Sequence, residues 1–183
     1  TTTCGLCMNR QLALRIVESG IDIVAFSLVG SDAASNAARL GVDFDRVCEA
    51  LSVLQTVRRE RMGVHLEIHF AYLMLVSTGD AVASLPALMH RFGVHAAVIS
   101  TLDYISEPAL QSEAFTLQEP EKLAKAAAIL SQTAAEARRL GVGFHYELPN
   151  PAASGTTCRE NIERSLFISA DGCMLTADGC LYS

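Results

Sequence analysis

Cys4 and Cys7, spaced C-x-x-C in the opening stretch TTTCGLCMNR, are the first side chains whose type and spacing suit chemistry. Two thiols so placed fit half of a metal site, a redox pair, or simply two thiols at a strand end. A second group is His65, Glu67 and His69. Alternate residues of a strand share a face, so two imidazoles and a carboxylate would converge there as metal ligands, as acid and base, or as polar residues around a substrate pocket. His145 and Glu147 repeat that spacing on a later run, with Tyr146 pointing the other way. Cys158, Cys173 and Cys180 crowd the C-terminal stretch, where SADGCML is followed at once by TADGCLY.

These residues are positioned by a recurring phrase: a helical segment, a glycine, a β-branched residue, an apolar run. It occurs as ESGIDIVAFSL, RMGVHLEIHFAYLML, RFGVHAAVISTL and RLGVGFHYEL. The glycines (Gly20, Gly63, Gly93, Gly141) fit helix C-termini, where a positive φ is cheap only without a Cβ. The runs after them read as strands apolar on both faces, as in a sandwiched parallel sheet. The first helix is expected over Gln11 to Ser19, capped by Asn9, with Leu12, Ile16 and Val17 on one side. A second spans Asp43 to Arg61, with Val47, Ala50, Leu51 and Leu54 inward and Arg58 and Arg59 outward. Pro86, behind Ser84, opens a third. A fourth, Glu119 to Leu140, has Leu123, Ala127, Leu130 and Ala134 as its inner face.

Helix and strand alternating without hairpin signals predicts βα units and a parallel sheet, either a whole or partial barrel or a doubly wound sheet. Both place ligands at the carboxyl ends of the strands. The rim is therefore Thr3 and Cys4, Ser27 to Gly30, Val76 to Asp80, Ser100 to Asp103, and Glu147 to Asn150. No glycine-rich dinucleotide or P-loop motif follows any of them. The tail differs: a Pro, Ala, Ser, Gly and Thr linker, then Asp-Gly pairs between short β-forming runs, which read as a hairpin. The expected domains are residues 1–148, a linker at 149–157, and a cysteine-rich region at 158–183.

Composition narrows the function. The chain has 183 residues, half of them hydrophobic, and a net charge of -6. That length gives one good core, and the acidic balance with dispersed arginines argues against a nucleic-acid groove. The longest apolar run, Ile68 to Val76, is less than half of the ~20 residues a bilayer span needs. With no membrane segment and no leader, the expectation is a cytoplasmic protein whose six cysteines are thiols or metal ligands rather than disulfides.

The order TTxxG, SGIDIVAFSLVG, EIHFAYLML, FGVHAAVIST and a cysteine followed by SLFISADG resembles the radical SAM superfamily, in the branch with a C-terminal SPASM region. The similarity runs from about Thr1 to about Met174. It implies an α/β fold, a partial (β/α) barrel of parallel strands with outer helices and a short cysteine-rich hairpin tail. It also implies S-adenosylmethionine bound against a [4Fe-4S] cluster, and radical modification of a peptide or protein. Aligned this way, the chain is a fragment that starts at the third barrel strand and lacks the C-x-x-x-C-x-x-C loop, so no radical activity is expected of it alone. Cys4 takes the place of the family asparagine, and both early thiols are read as non-ligands.

The resemblance assigns Thr3, Ser27, Ser100, Thr101 and Leu102 to the S-adenosylmethionine site. It assigns Cys158 to the first cysteine of an auxiliary cluster; the Pro-Cys expected after it is Thr-Ala here, leaving Cys173 or Cys180 as the substitute ligand. His65, Glu67, His69, His145 and Glu147 fall in the substrate pocket. Val29 replaces a family aspartate, and Val76 stands where relatives often carry arginine. Two other readings remain: a small barrel-like lyase or isomerase using His65, Glu67 and His69, and a non-catalytic module pairing its open edge with a partner.

Overall fold

The computed structural model describes residues 1–37, 41–61, 63–102, 105 and 107–149, together with the backbone of 167–168 and 174–175. The chain divides into two units, Thr1–Pro149 and Asn150–Ser183. In the second, strands β6 (Phe167–Ile168) and β7 (Met174–Leu175) form an antiparallel pair. Cys158, Cys173 and Cys180 lie outside the described residues.

The first unit alternates strand and helix: β1 (Thr2–Thr3), α1 (Arg10–Glu18), β2 (Ile23–Leu28), α2 (Ala33–Asn36), α3 (Phe44–Glu60), β3 (Glu67–Leu73), α4 (Leu85–Phe92), β4 (Ala96–Ser100), α5 (Pro120–Leu140) and β5 (Gly143–Tyr146). Single 3-10 segments occupy Gly79–Ser84 and Pro108–Glu113. The sheet order is β1-β2-β3-β4-β5 and every pair is parallel. Strands laid down in sequence order, with the helices gathered on one side of the sheet, make the barrel arrangement and not the doubly wound one.

Local chemistry sets the element ends. Asn9 and Asp43 accept backbone N–H groups of Leu12 and Asp45, both at 2.9 Å, at the starts of α1 and α3. At Gly93 and Gly141, φ values of 65° and 71° turn the chain out of α4 and α5.

The strands are not sandwiched. Val24, Phe26 and Leu28 of β2 and Ile68, Phe70 and Tyr72 of β3 are buried under the helices, while their alternates are only partly covered, with Ile23 at 41% and Val98 of β4 at 47% exposure. This corrects the expectation of two apolar faces: the helices cover one side, and the other, here the open face, carries small and polar residues.

The helix phases shift too. The buried stripe of α5 is Ala126, Leu130, Thr133 and Ala137, while Ala127 is exposed and Ala134 half-buried. Thr133 enters the core because its hydroxyl donates to the Ile129 carbonyl at 2.8 Å. On α1 the inner residues are Ala13 and Val17, with Leu12 and Ile16 half-buried.

Arg58 is likewise not a solvated arginine. Gln55, 4% exposed, donates from Nε2 to the Phe92 and Gly93 carbonyls at 2.8 and 2.6 Å, covering the end of α4. Arg58 donates to Gln55 Oε1 at 3.1 Å and reaches His95 Nε2 at 2.9 Å. Since Arg58 can only donate, His95 Nε2 accepts, while Nδ1 lies against the Ile68 backbone, 3.0 Å from its N–H and 3.3 Å from its carbonyl.

Burial first, and the Arg58 charge second, lower the His95 pKa. The unfolded chain therefore binds more protons at this site, so its contribution to stability is full above about pH 6.5 and is lost as pH falls through the folded-state value. The melting temperature should drop between about pH 7 and 5, and the drop should be shallower in His95→Asn; equal slopes would reject this assignment.

Tyr72 makes a different prediction. It is fully buried, and its hydroxyl has no hydrogen-bond partner among the described residues. Burial, then the Asp32 charge, push its pKa far up. Removing an unpaired buried hydroxyl restores no lost bond, so Tyr72→Phe should leave the melting temperature unchanged or raise it, with up to ~1 kcal/mol gained. A calorimetric scan showing a clear fall would contradict this.

Candidate functional site: the open face and its carboxyl-end rim

Parallel register decides which side chains share the open face. Ile23 pairs with Glu67, Ala25 with His69, and Ser27 with Ala71. Across β3 and β4, His69 pairs with Ala96, Ala71 with Val98, and Leu73 with Ser100; across β4 and β5, Ala96 pairs with Gly143 and Val98 with His145. Ser27, Glu67, His69, Ser100 and His145 are therefore brought to one side of the sheet.

Thr3 is not among them. It pairs with Phe26, on the helix-covered side, and its Oγ1 accepts the Gly5 N–H at 3.0 Å. Thr2, in register with Ala25, takes the open side. Thr101 is buried, Leu102 half-buried, and the Ser100 carbonyl is occupied by the Met74 N–H at 2.8 Å.

His65 also separates from its neighbours. It is exposed and precedes β3, which begins at Glu67. Glu67 and His69 do meet, with Oε2 and Nε2 2.7 Å apart, and that hydrogen bond is the chief cause lowering the Glu67 pKa. His145 and Glu147 are exposed at the end of β5. Among the described residues no group of three or more His, Cys, Asp or Glu side chains is arranged to hold a metal ion.

The loops above the rim are knitted to each other. After β2, Asn36 at 1% exposure accepts the Val29 and Gly30 N–H groups at 3.1 and 3.3 Å. The Ser31 hydroxyl lies 2.6 Å from both the Ala81 carbonyl and Ser84 Oγ, and Thr78 Oγ1 donates to the Val29 carbonyl at 3.2 Å. Val29 is buried, so an apolar residue there belongs to the packing of this loop. After β3, the Val76 and Ser77 N–H groups donate to the Glu113 carbonyl and carboxylate at 3.0 and 2.9 Å.

Asn36, Ser31, Gln55 and His95 were not singled out by sequence reasoning. His95 had one signal: FGVH repeats the MGVH that precedes β3, so both histidines stand at a strand entrance. After β1, Cys4 is half-buried and Cys7 exposed, both as free thiols.

The four longer strands, IVAFSL, EIHFAYL, AAVIS and GFHY, contain no lysine or arginine. The open face thus presents hydroxyls, imidazoles and carboxylate beside exposed Ile23 and Val98, a donor set suited to a cation with apolar parts.

Neither a protein family nor a curated protein sequence matches the chain. Two solved structures of SuiB from Streptococcus suis do match it in fold. The one bound to S-adenosylmethionine has a TM-score of 0.60 at 12% identity, covering 80% of this chain and 32% of SuiB. The other has a TM-score of 0.58 at 12% identity with the same coverage. A D-allulose 3-epimerase from Methylomonas sp. superposes less well, at 0.46 and 15% identity, covering 77% of this chain and 45% of its own. The chain spans about a third of the length of SuiB. The likeness establishes the fold: five parallel strands with helices around them, an α/β unit matching a partial barrel.

Proposed function

We propose that the Thr1–Pro149 unit is part of an S-adenosylmethionine-dependent enzyme of the radical SAM type acting on a peptide or protein, with cofactor and substrate on the open face. The observation that carries the reading is the superposition, over 80% of the chain, on a protein solved with S-adenosylmethionine. The motif order in the sequence agrees with it.

The residues on the face fit the cofactor in charge. S-adenosylmethionine is a sulfonium cation, and the strands offer it carboxylate and hydroxyl groups with no lysine or arginine to repel it. Ser27 and Ser100 supply hydroxyls toward the carboxyl ends of β2 and β4, and Leu102 an apolar side chain just beyond. Thr3 and Thr101 would act by holding the loops that bear on the site.

A [4Fe-4S] cluster is not matched by the described residues. They place two thiols, Cys4 and Cys7, in one loop, and thiolate clusters of this kind take more.

Isothermal titration of the purified chain with S-adenosylmethionine tests the reading. Saturable binding that weakens in Ser27→Ala supports it, because that change removes the hydroxyl and adds no bulk. Absence of saturable binding to the folded chain would overturn it.

A further inference from the structure

We propose that His69, oriented by Glu67, is a hydrogen-bond acceptor on the open face that holds the N–H group of an ammonium or amide ligand. This rests on the reading above only in taking the open face as the ligand side.

Glu67 accepts from His69 across 2.7 Å, which assigns the ring proton to Nε2 and makes Nδ1 the acceptor. No described residue occupies Nδ1. Glu67 stays anionic, since the His69 bond first and the histidine charges after it lower its pKa, so the pair keeps one orientation. This is the arrangement in which a carboxylate fixes the tautomer of an imidazole whose other nitrogen meets substrate.

Access comes from what surrounds it. His69 has a side-chain exposure of 16%, and its neighbours on the open face are small: Ala25 on one side, Ala96 and then Gly143 on the other, Ala71 two residues on. Gly143 is small of necessity, because a Cβ there would lie 2.9 Å from the Ala96 Cβ. It would also lie 3.4 Å from His145 Nε2, so the second imidazole borders the same floor.

The charged and titratable groups near the pair are Glu67 itself with His65 and His95, which act on it electrostatically, and His145 across the floor. A ligand carboxylate would meet Glu67 and be repelled, while an N–H donor finds an acceptor and a negative field. The site is also distinct from the rim: His69 precedes Leu73 by four residues, about 13 Å along the strand.

Long-range nitrogen–proton NMR of the histidine rings at about pH 8, above the usual imidazole range, reads the tautomer. The expected result is Nε2–H for His69, with its signals shifted by butylammonium and not by the isosteric butyrate. Glu67→Gln should weaken the butylammonium response roughly tenfold with circular dichroism unchanged, as for loss of one charge-assisted bond. An Nδ1–H tautomer, an equal response to butyrate, or an unaltered Glu67→Gln response would each overturn the proposal. Titration with S-adenosylmethionine separates the two readings. Butylammonium binding without cofactor binding leaves this site standing and removes the proposed function; cofactor binding without a butylammonium response does the reverse.

Discussion

Phe70→Ala should lower stability by about 3–5 kcal/mol, the range for truncating a fully buried aromatic side chain. Phe70 is 0% exposed at the middle of β3, the central strand, between Phe26 of β2 and Ala97 of β4. The ring cannot be replaced by neighbours moving in, because the facing helices hold Leu51, Leu54 and Leu130 in the same close-packed cluster. For a unit of this size each kcal/mol moves the melting temperature by roughly 2–4 °C, so a fall on the order of 10 °C is expected. Denaturant unfolding should show a lower midpoint with unchanged slope. A loss under about 1 kcal/mol would mean that the helices do not pack on this strand as described.

Gly30→Ala should be nearly as damaging, and for a reason that reaches the site. Gly30 has no unusual φ to protect; the constraint is space. A Cβ there would lie 2.2 Å from the Ser35 carbonyl carbon and 2.3 Å from the Asn36 nitrogen, backbone atoms that cannot step aside. Helix α2 would have to move, and Asn36 with it. The Val29 and Gly30 N–H groups would then lose their shared acceptor in a buried place. Overpacking and two orphaned donors together suggest a cost of about 3 kcal/mol. Because this loop follows Ser27 directly, the proposed binding of S-adenosylmethionine should weaken along with the melting temperature. Asn36→Ala separates the two effects, since it orphans the same donors without the clash and should cost less. If Gly30→Ala melted like the parent chain, the close approach of loop and helix would be refuted.

Much of the architecture could be read in the sequence because it depends on local rules. Gly20, Gly63, Gly93 and Gly141 all adopt positive φ, between 65° and 77°, as their places after helical segments required. Asn9 caps α1, Pro86 lies in the first turn of α4, and alternation of helix with apolar run gave the parallel sheet. The phase of a helix is a weaker signal. In the alanine-rich α5 any of several stripes looks apolar, and hydropathy favours a face containing Ala127, which the fold leaves exposed, over one containing the buried Thr133. Hydropathy does not register a hydroxyl that can bond its own helix.

The site was legible only as a set of candidates. Spacing put Glu67 and His69 on one face, and that much is local geometry. Whether Thr3 faces ligand or helices, whether His65 belongs to the strand, and which residues lie beside His69 depend on where strands start and how they register, which are long-range matters. The same holds for Arg58 and His95, 37 residues apart, each unremarkable alone.

What the sequence by itself determined is therefore the order of elements, their caps and turns, and an acidic chain with strands free of lysine and arginine. What only the tertiary structure decided is that the helices cover one face and leave the other open. Packing of distant elements, not the pattern within any one of them, chooses which half of each strand is buried.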